Sequence, residues 1–336
     1  MPLATQRQYL EMLDQAQAGG YAYPSVNVTS SETLNAALRG FAEAGSDGIV
    51  QMTPSGAAFA AAGDAVTGAR ALAGFADVIA PRYPGLAALH TDHCPPALVD
   101  EFLKPLLAAT AARVAHGQTP LFHSHMYDGS SLPLADNLAQ ARELLGQAAR
   151  LGVVFEFEIG VVGGEEDGLD ATSQPRERLY STPAEALAVA DALGTGDHGR
   201  YLLAATFGNV HGIYAPGAVR LRPSILRELQ DALAARHDGA VFQFVFHGGS
   251  GSAPADIAEA VSYGVVKMNV DTDMQQVYSA AVAEHLATAD LTDKKAFDPR
   301  VWGRKAEAAM AARVAQACED LGSAGRSLVS GRNRLS

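Results

Sequence analysis

Eight short runs rich in β-branched and aromatic residues alternate with longer alanine-rich helical stretches along this 336-residue chain. Parallel strands cannot be joined by tight hairpins, so strands separated by helix-length crossovers imply a parallel sheet. The runs fall at 21–28, 47–53, 87–93, 120–126, 153–160, 201–207, 241–247 and 265–271. Eight strand–helix rounds are the number that closes such a sheet on itself. The expected fold is therefore α/β, a TIM (β/α)8 barrel with additional C-terminal helices, and 1–336 reads as one barrel domain. Ser31 reads as the cap of the helix that follows the first strand, and Gly45 as its end. The stretch 161–183, rich in Gly, Glu and Asp, is too long for a simple connector and is expected to be a mobile loop over the active site. Residues 274–336 read as a helical extension, clearest over 306–321 and preceded by Asp293-Lys294-Lys295.

Composition removes several functions. With 37 acidic against 25 basic residues the net charge is −12, a field that repels nucleic acid and anionic membranes. Small phosphorylated ligands stay open, because local donors decide their binding. No apolar run approaches the roughly 20 residues needed to span a bilayer. The opening Met1-Pro2-Leu3-Ala4-Thr5-Gln6-Arg7 lacks a secretion-signal pattern. Two cysteines, Cys94 and Cys318, make no disulfide framework, which fits a reducing cytoplasm.

In a barrel of this kind chemistry gathers at the C-terminal ends of the strands. The third strand ends in His90-Thr91-Asp92-His93-Cys94, the sixth leads to Asn209-Val210-His211-Gly212, and the seventh ends in His247-Gly248-Gly249-Ser250-Gly251-Ser252. Any one of these histidines would pass as a hydrogen-bonded loop residue. His93, His211 and His247 together, at equivalent ends of three strands, match a catalytic zinc site with an open fourth position. Cys94 is a softer alternative ligand. In the fifth strand, Phe155-Glu156-Phe157-Glu158 alternates, so both glutamates share one face. They point into the barrel if the phenylalanines face the helices. Pairing with basic residues would explain them structurally, but few strand lysines or arginines are available.

The glycine-rich turn 248–252 offers backbone N–H groups suited to a phosphate, although such a turn also occurs simply as a tight bend. The eighth strand places Asn269 and Asp271 on one face beside it, where strand-end capping would be their structural role. In the long loop, Gly163-Gly164-Glu165-Glu166-Asp167-Gly168 reads as a solvated acidic turn or as the carrier of a mobile base.

These segments together, in order and over nearly the whole chain, resemble the class II fructose-bisphosphate aldolases. The resemblance implies zinc held by His93, His211 and His247, with Glu158 joining when the metal shifts. It also implies a monovalent cation, Na+ or K+, held by carbonyls around Gly212 and Gly248. Gly212, Gly248, Ser250, Asp271 and Thr272 would hold the dihydroxyacetone-phosphate half, with Asn269 near the reacting carbons. Asn27, Thr53 and Arg300 would meet the second phosphate. Glu166 would move the proton of the three-carbon ketone and Asp92 that of the C4 hydroxyl. A homodimer or homotetramer with contacts through the C-terminal helices is also implied.

Some positions depart from the family pattern. Met52-Thr53-Pro54-Ser55-Gly56-Ala57 stands where Phe-Ser-x-Gly-Gly-Ala is common, and the fourth strand carries His123. An aldolase for tagatose bisphosphate or another phosphorylated ketose is therefore a second reading. A metal-dependent barrel hydrolase is a third, and a barrel kept as a scaffold without turnover a fourth. Cobalt or iron would suit comparable ligands in place of zinc.

Overall fold

A computed structural model describes residues 2–166, 169–170, 176–211, 221–290 and 292–329, with backbone alone at 165–166, 169–170, 176–177 and 211. Eight parallel strands close into a barrel: β1 (Tyr23–Asn27), β2 (Gly48–Met52), β3 (Ala87–Cys94), β4 (Ser124–Tyr127), β5 (Val154–Ile159), β6 (Tyr201–Ala205), β7 (Phe244–Phe246) and β8 (Val265–Val270). Neighbours follow chain order, with β8 closing onto β1 through Tyr23↔Lys267 and Ser25↔Asn269.

Every expected strand is present, but two begin three or more residues inside their apolar runs. Residues 120–123 stay outside β4, where the His123 ring accepts the Leu89 N–H at 2.9 Å that would otherwise extend the ladder. Its other ring nitrogen donates to the Ala4 carbonyl, so this departure from the family pattern stitches the N-terminal segment to the barrel. At 241–243 the amide of Gln230 takes both the N–H and the carbonyl of Phe242, each at 2.9 Å, and β7 begins only at Phe244.

Helix α1 (Gln6–Gly19) opens on a capping box between Thr5 and Gln8 and stops at Gly20 in the left-handed region. It crosses the N-terminal end of the barrel and plugs it. Tyr9, Met12, Leu13 and Ala16 pack there against Tyr23, Ile49, Ala88, Val154, Leu202, Val245 and Val266. Helix α2 (Ser31–Glu43) is capped by Ser30 rather than Ser31. The Ser30 hydroxyl accepts from Thr33 N at 3.3 Å while Thr33 Oγ1 accepts from Ser30 N at 3.0 Å, and this reciprocal spacing makes Ser31 the first helical residue.

The outer ring continues with α3 (Pro54–Ala60), α4 (Ala65–Ile79), α5 (Lys104–Ala115), α6 (Leu134–Arg150), α7 (Pro183–Leu193), α8 (Ser224–Arg236) and α9 (Pro254–Ser262). Phe155, Phe157, Phe244 and Phe246 face these helices in the larger core cluster. After β8 come α10 (Thr272–Thr288), α11 (Lys294–Phe297) and α12 (Pro299–Asp320). Gly40 lets α12 lie close on α2, since a Cβ there would stand 2.5 Å from the Ala311 carbonyl and from Val314. The segment after α12 is tied down by buried Asp47, which accepts from Ser327 Oγ at 2.6 Å and Leu328 N at 2.8 Å. Among the described residues no helix is long and apolar enough to cross a membrane.

Candidate active site

The C-terminal mouth of the barrel holds what the plugged end excludes. From β3, Asp92 points into the interior and His93 sits at the rim with φ +31°, a left-handed conformation uncommon for a residue bearing a side chain. From the end of β7, His247 brings its ring to 4.7 Å from that of His93, centroid to centroid. Ligand atoms of Asp92, His93 and His247 all lie within 4.8 Å of one another, and all three residues are buried. That donor set fits a divalent metal, with two imidazoles and a carboxylate gathered where water scarcely reaches.

Carboxylates aim the rings from behind. Asp128, just past β4, meets His93 Nδ1 at 3.1 Å and is itself held by Ser130 N at 3.0 Å and Oγ at 2.6 Å. This carboxylate–histidine pairing is the usual outer support of a metal ligand. Burial pushes the Asp128 carboxyl up, but the His93 hydrogen bond and charge together with Ser130 outweigh it, leaving the group at about 2. His247 Nδ1 meets Glu158 at 2.8 Å and Nε2 meets Glu156 at 2.9 Å. Burial alone would lower this imidazole, yet the two glutamates push it up to about 9. Both ring nitrogens are thus held by carboxylates, and His247 would ligate a metal only by giving one of them up while the other kept its hydrogen bond.

Asp92 accepts from Gln51 Nε2 at 2.8 Å and from Asn269 Nδ2 at 3.1 and 3.2 Å. Burial raises its pKa, but His93, the His90 hydrogen bond and Lys267 outweigh that and hold it well below the ordinary carboxylate range. It is an ionised acceptor at the metal cluster. Glu156 does not stay unpaired as its strand context suggested: Lys267 Nζ stands 3.0 and 3.1 Å from its two oxygens. The two residues come from strands separated by β6 and β7, so a pairing across the barrel went unseen in a strand-by-strand reading.

The remaining residues singled out in the sequence divide into three places. Near the metal cluster, Gly248 has φ +59° and lies so close to Val210 that a Cβ would stand 2.6 Å from its carbonyl. Asn209 Nδ2 donates to the His247 carbonyl at 2.9 Å, so the two-residue strand Val210–His211 is drawn against the end of β7. The backbone of His211 pairs with Gly164, and that of Glu166 with Leu169; their side chains, and Gly212, lie outside the described residues. Ser250 follows in the turn before α9, whose cap residue Ala253 supplies no capping side chain. Asp271 and Thr272 begin α10, with Gln275 donating to Asp271 at 2.8 Å.

The second place is a cavity of about 690 Å³ between α2, α10 and α12, lined by Asn27, Asp271 and Arg300 together with Ser30, Trp302 and Arg304. Arg300 is 90% exposed and turned onto Asp298 at 2.6 Å. The third is the loop after β2, where the Thr53 hydroxyl caps α3 by accepting from Gly56 N at 3.1 Å. Thr53 is not among the residues that line the cavity with Asn27 and Arg300. Cys94 is buried in the outer core, and burial pushes its thiol up to about 12, which disfavours the thiolate a metal would need.

Residues 7–326 match the model of the family described as fructose-bisphosphate aldolase class-II. The chain belongs to that family. Its members are carbon–carbon lyases that act on a phosphorylated sugar and are in general zinc-dependent. The chain is 53% identical over 344 residues to the fructose-bisphosphate aldolase of Mycobacterium tuberculosis, covering 98% of this chain and 99% of the relative. It is 53% identical over 341 residues to that of Streptomyces galbus, covering 98% and 100%. Among solved structures, the fructose-bisphosphate aldolase of Campylobacter jejuni superposes with a TM-score of 0.85 at 36% identity, covering 97% of each chain. The YdjI aldolase of Escherichia coli, at 20% identity and a TM-score of 0.67, shares the fold.

Proposed function

We propose that this chain catalyses the reversible aldol cleavage of fructose 1,6-bisphosphate into dihydroxyacetone phosphate and glyceraldehyde 3-phosphate. The observation that carries the proposal is the buried cluster of Asp92, His93 and His247 at the barrel mouth. His93, His211 and His247 hold zinc, with Glu158 as an alternate ligand, and the bound metal supplies Lewis-acid polarisation of the substrate ketone. Asp92 takes the proton of the C4 hydroxyl as the C3–C4 bond breaks and the aldehyde leaves. Glu166 returns a proton to C3 of the enediolate so that the three-carbon ketone can depart.

Substrate grip comes from the backbone of the turn at Gly248 and Ser250 with Gly212, and from Asp271 and Thr272 at the start of α10, with Asn269 beside the reacting carbons. The uncapped N-terminus of α9 supports placing a phosphate there. Asn27, Thr53 and Arg300 serve the second phosphate; Asn27 and Arg300 share one cavity, and Arg300 must leave Asp298 to do so. A monovalent cation, Na+ or K+, sits beside the first phosphate. The chain works in the cytoplasm as one domain with 161–183 as the mobile loop. It assembles as a homodimer or homotetramer through the extension 274–336, where Leu286, Phe297 and Val301 are exposed.

A tagatose-bisphosphate preference is the second reading, favoured by Thr53, whose hydroxyl is engaged as a helix cap rather than turned toward Arg300. Cleavage of the fructose and tagatose bisphosphates by one zinc-loaded sample separates the two. The fructose epimer is expected to be cleaved with the higher kcat/KM. Release of phosphate without carbon–carbon cleavage, or a covalent adduct trapped by borohydride, would overturn the proposal.

A further inference from the structure

Lys267 is completely buried inside the barrel, below the mouth. Its strand carries one extra residue against β7: Phe244 pairs with Val265 and Val245 with Lys267, so Val266 is a bulge. Bulges re-aim side chains beside active sites. This one turns Lys267 and Asn269, two residues apart, onto the same inward face. A buried ammonium needs an anion, and Glu156 provides it at 3.0 Å.

The same ammonium stands 2.7 Å from Asn269 Oδ1. A lysine has only donors to offer, so the Asn269 atom that faces it is the oxygen and the amide nitrogen is forced toward Asp92. On the other side the Ser25 hydroxyl donates to Gln51 Oε1, and Gln51 Nε2 donates to Asp92. Asp92 therefore accepts from two amides, and Lys267 sets the orientation of the Asn269 amide from behind, whereas the Ser25 hydroxyl, able to donate or accept, follows that of Gln51. His90, Asp92 and Glu156 also form a group with the spacing of metal ligands, and His90 Nε2 lies 3.7 Å from each carboxylate. Lys267 already places a positive charge on Glu156, so the chain's own cation stands where a second metal would compete.

We infer that Lys267 is a positioning residue for the aldol step, acting through Asn269 to keep Asp92 oriented as the acceptor of the C4 hydroxyl proton. The inference rests on the aldolase reading. It predicts a split between two reactions of one enzyme. Cleavage of fructose 1,6-bisphosphate needs Asp92, whereas hydrogen-isotope exchange from dihydroxyacetone phosphate needs the polarised ketone and the carbon base but not Asp92.

The test uses the full-length, zinc-loaded protein with Lys267→Met and with the charge-balanced pair Lys267→Met/Glu156→Gln. The paired change removes both buried charges together and guards against a folding defect. Expected is a fall of about 30-fold or more in kcat for cleavage, with KM, zinc content and isotope exchange each within about threefold of the parent. Lys267→Leu/Glu156→Gln, which fills the same buried space with a different apolar shape, must show the same split, so it carries the test if neither methionine variant folds. A folded variant that cleaves at the parent's rate, or one in which cleavage and exchange fall together, overturns the inference alone. A parent that exchanges and cleaves nothing overturns the aldolase reading and this inference with it.

Discussion

At the N-terminal end of the barrel Tyr23, Ile49, Ala88, Val154, Leu202, Val245 and Val266 close dry against α1, whereas at the other end Asp92, Glu156, Glu158, Lys267 and two histidines crowd into one hydrogen-bonded set. The same strands supply both ends, and successive inward residues of β5 pass from Val154 to Glu156 to Glu158. Apolar burial at the closed end contributes about 1.5–3 kcal/mol per large side chain. Buried charge at the open end contributes little net stability, because desolvation offsets pairing. The barrel thus separates what holds it together from what it does, over the length of a strand.

Chelation probes that separation most severely. Removing the metal is expected to abolish cleavage while circular dichroism and the barrel's thermal transition persist, and added zinc should restore the rate; activity in a fully demetallated sample would break the comparison. Asp92→Asn should follow, with kcat down about 10²–10⁴-fold and little change in Tm, because it removes a proton acceptor and leaves the shape. The opposite outcome is expected at the plugged end. Leu13→Ala should cost about 2–5 kcal/mol in denaturant unfolding, with kcat per folded molecule unchanged. A cut in kcat there would show that the two ends are mechanically coupled.

Asp128→Asn sharpens the metal end without touching it directly. Zinc affinity measured against a competing chelator should fall about 10–100-fold, and no change would mean that Asp128 does not orient His93. The smallest effect concerns pH. His125 lies outside the mouth with Thr91 Oγ1 at 2.7 Å, and burial, helped by His90, lowers it to about 3. Its folded value is below its unfolded one, so its neutral form favours folding at neutral pH, and that contribution is lost as pH falls from about 6.5 toward 3. His125→Gln should remove about one of the protons taken up on unfolding near pH 5, read as a shallower pH dependence of stability.

Period and punctuation in the sequence were sufficient for the barrel, because each strand's apolar run and each alanine-rich crossover is a local signal. Where side chains replace backbone partners, as Gln230 does at Phe242 and the His123 ring at Leu89, the strand ends moved, since no local pattern records a bond made from another element. At the site, strand-end position was enough to single out Asp92, His93 and His247, while alternation along β5 put Glu156 and Glu158 on one face without telling their roles apart. Asp128 carried a weak signal as an acid directly after a strand. Lys267 carried none: its partner lies 111 positions away, and a bulge decides which face it occupies. The side chains of His211 and Glu166 fall outside the described residues, so their places in the cluster rest on the family pattern.

Anomalous scattering at the zinc edge from crystals of the zinc-loaded protein addresses the central claim directly. One peak per chain is expected among His93, His211 and His247, about 2.0–2.1 Å from a ring nitrogen of each. A peak elsewhere, or none in protein that still cleaves the sugar, would contradict it.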